Sequence, residues 1–134
     1  MNPADVARSY LASFDTRDPD HIASHVTDEF RNRHTSALGS DCDGKATYRE
    51  RLPDFLASMP GLHYEVEQLI TEGDHVAAFY TMSGRWQGET PFTVRGIQRF
   101  HILNGQIAER TDYWDSAGFL AQVDPKAAAA LGVV

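Results

Sequence analysis

Cysteine is nearly absent from this 134-residue chain: Cys42 stands alone, which leaves no internal disulfide and no cysteine-built zinc site. Basic residues are also scarce, 12 Lys+Arg against 19 Asp+Glu, for a formal charge of −7. That balance argues against nucleic acid or an anionic membrane as partner, because either needs a dense Lys/Arg patch to displace counterions. No apolar run approaches the roughly 20 residues that span a bilayer. Met1 to Asp5 shows neither the basic region nor the apolar stretch of a secretory leader, so a cytoplasmic location is expected. No Gly-x-Ser-x-Gly elbow occurs, and His21 is not followed by the glutamate of a zinc-protease helix. What is present is ordinary: 42% hydrophobic and 23% charged residues suit one globular domain with its own core.

The first half has helical spacing. Asn2-Pro3 and Asp18-Pro19 each read as a cap followed by proline at the first helical position. Val6, Tyr10, Leu11 and Phe14 then mark a first helix, and Ile22 with Val26 a short second one. Phe30 to His34 is expected as a short strand with Phe30, Asn32 and His34 on one face. Tyr48, Leu52, Phe55, Leu56 and Met59 mark a third helix, in which Pro53 predicts a kink or a late start. From Leu62 onward the period becomes two. Strands are expected over Leu62–Glu67, Val76–Trp86, Thr90–Leu103 and Gln106–Trp114, with Asn104-Gly105 as a two-residue hairpin turn. The expected fold is α+β: a cone-shaped, curved antiparallel sheet wrapped around N-terminal helices, with a cavity open at one end. Residues 1–123 form the domain, and 124–134 a helical or frayed tail.

Two loop motifs fail on their chemistry. Gly39 to Ala46 has the outline of a phosphate-binding loop, but Ala46 lacks the magnesium-binding hydroxyl and Asp41 and Asp43 stand where phosphates would lie. The same aspartates lack the closing glutamate of a calcium loop. His21 and His25 have a two-ligand spacing but no third ligand, and His63, His75 and His101 point outward on the strand pattern. The informative residues are polar ones on apolar faces. Tyr10 lies on the buried stripe of the first helix, Gln98 interrupts the Val94, Gly96, Phe100 and Ile102 face, Asp112 shares a face with Trp114, and His34 with Phe30. A buried phenol or carboxylate is costly without a partner, so four such residues converging on one cavity suggest a site.

The ending from Asn104 to Asp115, followed by Phe119-Leu120-Ala121-Gln122, resembles that of the SnoaL-like polyketide cyclases: glycine hairpin, strand, aspartate and a closing Leu-x-Gln turn. The start from Ser9 to Asp15 resembles the first helix of the ketosteroid isomerases. Both groups belong to the nuclear transport factor 2-like superfamily, and the likeness spans about residues 4 to 123. The resemblance implies an acid/base role for Asp112 and an oxyanion-binding role for Tyr10. It sets Gln98 where the relatives have a protonated aspartate or a histidine, and His34 near an isomerase's base. The Arg-x-Asp pair of limonene epoxide hydrolases is missing from Phe79 to Ser83, which weighs against that reaction.

The expected function is therefore cofactor-free enolisation of a small apolar carbonyl compound, leading to isomerisation or aldol-type cyclisation. Asp112 or His34 would take the proton, Tyr10 and Gln98 would hold the oxygen, and Asn32 and Trp114 would contact the substrate. Desolvation beside Trp114 should raise the carboxylate's pKa and make it a stronger base when ionised. The rival is a non-catalytic ligand-binding or protein-interaction module. It expects Asp112 to be neutralised by a structural partner such as Arg110 or Arg99. A homodimer through an outer face bearing Phe79, Ile97 and Tyr113 is also implied.

Overall fold

A computed structural model describes residues 1–132. Helix α1 (Pro3–Ser13) begins where the Asn2 side chain accepts from the Asp5 amide at 2.8 Å, with Pro3 preset for the first turn. A 3₁₀ turn (Phe14–Thr16) leads to α2 (Pro19–Ala23), capped the same way by Asp18. Strand β1 (Val26–His34) and the short β2 (Cys42–Asp43) precede α3 (Lys45–Ser58). Then come β3 (His63–Glu72), β4 (His75–Trp86), β5 (Thr90–Leu103) and β6 (Gln106–Trp114). Helices α4 (Ser116–Val123) and α5 (Pro125–Leu131) close the chain, both started by aspartate caps, Asp115 and Asp124. Within the stretch read as a tail, Pro125–Leu131 form α5, which buries none of its side chains. No helix among the described residues is long and apolar enough to cross a membrane.

The six strands form one curved sheet in the order β2-β1-β6-β5-β4-β3. The α+β cone is as the sequence implies, with one difference: β1 runs parallel to β6, so the sheet is mixed. β1 is also longer than expected, because the Ile107 amide donates to the His25 carbonyl at 2.8 Å. That bond draws Val26 into the sheet rather than the second helix. Local pattern marks a strand but not the partner it pairs with.

Inward-facing residues alternate along β5: Phe92, Val94, Gln98, Phe100 and Ile102 are all buried. Phe100 packs edge-to-face on α1 and Phe92 on Phe119 of α4, while α3 packs on β1. Tyr10 meets Phe100 at 5.7 Å, and Tyr48 meets Phe30 at 4.9 Å between centroids. The Asn104-Gly105 turn has φ of 51° and 76°, the doubly left-handed geometry of a tight hairpin.

α3 starts at Lys45 and continues through Pro53, so the late start expected from the proline does not occur. Pro53 nevertheless has no N–H for the carbonyl four residues back. Its side chain is exposed and packs no core. Pro53→Ala is therefore expected to raise stability by about 1–2 kcal/mol, the helix-propensity gain less the entropy returned to the unfolded chain. Urea unfolding measures it, and a loss of stability would contradict the assignment.

Candidate active site

The site is built on the inward face of β6. Arg110, Asp112 and Trp114 alternate toward the interior, and across the parallel pair His34 lies opposite Asp112 and Asn32 opposite Arg110. On the other side Gln98 pairs in register with Asp112. Three neighbouring strands thus bring five polar side chains onto one patch.

Arg110 and Asp112 are both buried, and their charges meet directly, Arg110 Nη2 donating to Asp112 Oδ2 at 3.2 Å. Arg110 Nε donates to Gln98 Oε1 and Nη1 to Asn32 Oδ1, each at 2.8 Å. Gln98 turns its amide nitrogen to Asp112 Oδ2 at 3.4 Å, and Tyr80 donates its hydroxyl to Oδ1 at 2.7 Å. No buried side-chain nitrogen or oxygen among the described residues lacks a partner. A carboxylate has about four acceptor positions, so three donors leave one on Oδ1. Burial pushes the Asp112 carboxyl above its ordinary range, while Arg110, Tyr80 and Gln98 pull it back. Arg110 stays charged, as guanidinium does in proteins.

Gly96 makes room for this arrangement. A Cβ there would lie 2.6 Å from the Tyr80 hydroxyl and 2.7 Å from the Tyr113 carbonyl. Any side chain would push Tyr80 off the carboxylate or part β5 from β6.

The patch forms one wall of a cavity of about 750 Å³, within the range of small-molecule sites. Asp112, Asn32, His34 and Trp114 line it, as does Arg110; the remaining wall is mainly aromatic and aliphatic, including Phe55, Met82, Trp86 and Phe119. Two expected residues do not reach it. Tyr10 is fully buried and spends its hydroxyl on that of Tyr48, which is itself on the wall. Gln98 is fully buried behind Arg110 and Asp112, with its amide bridging the two. Burial raises the phenol pKa of both Tyr10 and Tyr48, so both are neutral.

His34 is on the wall but differs from a free base. Trp114 Nε1 donates to its Nδ1 at 3.3 Å, which places the neutral ring's proton on Nε2. Burial, followed by the nearby Arg110 charge, pushes its pKa down to about 4. The loop holding it comes very close: Gly39, at φ 103°, leaves no space for a Cβ, which would meet the ring at 2.8 Å.

Arg110, Tyr48 and Tyr80 were not singled out as site residues by the sequence. Arg110 shares parity with Asp112 and Trp114, but Ile107 is buried too, and a regular strand cannot turn both 107 and 110 inward. The register shift between His101 and Ile102, opposite Glu109 and Ile107, reconciles them with an irregularity at Ala108.

Residues 4–123 match the model of the SnoaL-like polyketide cyclases, and the chain belongs to that family. Among solved structures it is similar to a hypothetical protein with a ketosteroid isomerase-like fold from Catenulispora acidiphila, in complex with trimethylamine, at 20% identity and TM-score 0.81, covering 91% of this chain and 93% of that one. TsrD from Streptomyces laurentii is similar at 25% identity and TM-score 0.73, with 90% and 93% covered. TerC, co-crystallised with polyporic acid, is similar at 20% identity and TM-score 0.79, with 91% and 98% covered. No curated protein matches the sequence.

The depressed His34 pKa has a signed consequence. The unfolded chain takes up this proton near 6.5, the folded protein only near about 4. Between those values the unfolded state holds the extra proton, so stability falls as pH drops through the window. His34→Asn is expected to flatten that fall, measured by urea unfolding above and within the window. An unchanged pH slope would show that His34 is not its source.

Proposed function

We propose that this chain is an acid/base enzyme that enolises a small, largely apolar carbonyl compound. The observation that carries this reading is the Asp112 carboxylate on the wall of an apolar cavity, with one acceptor position of Oδ1 left free. Asp112 takes the proton next to the substrate carbonyl. Tyr48, on the cavity wall and hydrogen-bonded to the Tyr10 hydroxyl, turns its own proton to the substrate oxygen as negative charge develops, the bond between the two phenols then being donated by Tyr10. His34, with Nδ1 occupied by Trp114, presents an N–H and acts as a donor rather than the base. Tyr10 and Gln98 support these groups from behind. Reprotonation at another carbon gives an isomer; attack of the enolate on a second carbonyl gives a ring. Family membership and a fold whose solved examples include complexes with small molecules agree with a small-molecule substrate.

One observation favours a second reading, the binding module. Arg110 neutralises Asp112 in the way a purely structural carboxylate would require. Hydrogen–deuterium exchange beside the carbonyl of a panel of apolar ketones and β-ketoesters, followed by NMR, separates the two. Wild type is expected to accelerate exchange. Asp112→Asn should lose about 10²–10⁴-fold and Tyr48→Phe about 10²–10³-fold, while His34→Ala, which removes a donor and not the base, loses less than either. Asp112→Asn also strips Arg110 of its counter-charge, so stability falls by about 3–5 kcal/mol under either reading and rates are compared where the variant is folded. Ligand binding without any acceleration would establish the binding module instead.

The outer sheet face supports a homodimer. Phe79, Ile97 and Tyr113 stand in one cross-strand row, with Arg99 6.0 Å over the Tyr113 ring. Tyr113 is 41% exposed, a large aromatic left facing water. Light scattering on the eluting protein is expected to give twice the chain mass and Ile97→Arg the single mass; a wild-type monomer would remove the proposal.

A further inference from the structure

At the end of the sheet opposite the cavity, β4 begins and β5 ends, and two histidines face each other across the pair. His75 and His101 are register partners whose rings stack at 4.6 Å between centroids and 6° between planes. Asp74, in the turn before β4, reaches both. Its Oδ1 lies 3.0 Å from His75 Nδ1 and its Oδ2 accepts from His101 Nε2 at 3.0 Å. The Ile102 amide donates to the Asp74 carbonyl at 2.8 Å, which anchors the turn to β5. The three side-chain donor atoms lie within 4.8 Å of one another.

The other histidine pairings lack this convergence. His63 has Asp15 and Glu65 on opposite ring nitrogens, so no single ion can touch all three. His25 directs one nitrogen to Ser9 and the other to backbone carbonyls, and no carboxylate joins it with His21. Among the described residues, Asp74, His75 and His101 are the one group of three whose donor atoms converge.

We propose that these three residues form a surface site for a divalent transition metal of zinc type, tying the β3–β4 turn to β5. Two imidazole nitrogens and one carboxylate oxygen are a borderline donor set, suited to zinc, nickel or copper and poor for the harder calcium and magnesium. Ligand atoms around tetrahedral zinc lie about 3.3 Å apart, close to the 3.0 Å that already separates Asp74 from each imidazole nitrogen. Parallel rings direct their lone pairs side by side, so binding requires each ring to tilt toward Asp74, and both side chains have solvent in which to do so. Three protein ligands leave a coordination position for water. Glu72 and Glu109 flank the histidines in the same cross-strand row and add favourable negative charge for a cation. The site shares no residue with the cavity and stands whether or not the chain is an enzyme.

The test uses the full chain, freed of any affinity tag and stripped with chelator, titrated calorimetrically with zinc chloride at neutral pH. One zinc per chain is expected, with a rise in Tm that EDTA reverses. His75→Ala and His101→Ala should each weaken binding by at least about tenfold, while His63→Ala leaves it unchanged. Zinc should also shift the imidazole NMR signals of His75 and His101 and not those of His63. Should either alanine variant fold poorly by circular dichroism, His75→Thr or His101→Asn replaces it. The proposal fails if wild type takes up no zinc, or if the His75 and His101 variants bind as wild type does.

Discussion

Two opposite charges lie buried in the inner face of the sheet, and their satisfaction organises everything around them. A buried ion pair offsets its desolvation only when the remaining donors and acceptors also find partners. Here the partners come from three strands: Asn32 on β1, Gln98 on β5 and Tyr80 on β4. Each is fixed in turn by sheet register, so a slip of one residue in any strand would unpair a charge. The polar patch therefore specifies register more sharply than the surrounding aliphatic residues, whose burial tolerates repacking.

The same constraint reaches residues that carry no charge. Tyr80 can bond Asp112 only because residue 96 is glycine. Arg110 and Ile107 can both face inward only because β6 is irregular near Ala108. The guanidinium also helps hold His34 neutral, which together with the Trp114 hydrogen bond makes that ring a donor toward the cavity. A glycine, a strand irregularity and an uncharged histidine are three results of placing one arginine beside one aspartate.

Much of this was legible in the sequence where the signal is local. The Asn2-Pro3 and Asp18-Pro19 starts, the Asn104-Gly105 turn and the alternation of β5 all depend on neighbouring residues alone. So did the placement of Asp112, Asn32, His34 and Trp114, which the parity of two strands brings to one wall. The parallel pairing of β1 with β6 was not, since it joins segments some eighty residues apart through backbone groups that every sequence carries. Tyr48 looked like one more apolar residue on a helix stripe, and its hydroxyl acquires meaning only beside that of Tyr10. Tyr10 and Gln98 sat on the expected faces but one layer deeper than the cavity, a distinction of depth that periodicity does not encode.

That layering bears on how an ionised carboxylate can be kept on the wall of an apolar cavity. Burial alone would leave Asp112 protonated and inert as a base, and a single arginine alone would hold it as a spent ion pair. The observed site lies between these limits. Desolvation raises the proton affinity, three donors hold the ionised form in place, and one acceptor position of Oδ1 is left over. Because the donors on Oδ2 are Arg110 and Gln98, the two oxygens are not equivalent: Oδ2 is committed to the framework, and Oδ1 keeps the spare acceptor position. Tyr80 shares that oxygen and positions it without neutralising it, since its own pKa is raised by burial and it keeps its proton. The division of labour within one carboxylate lets the same residue hold three strands in register and still face the cavity.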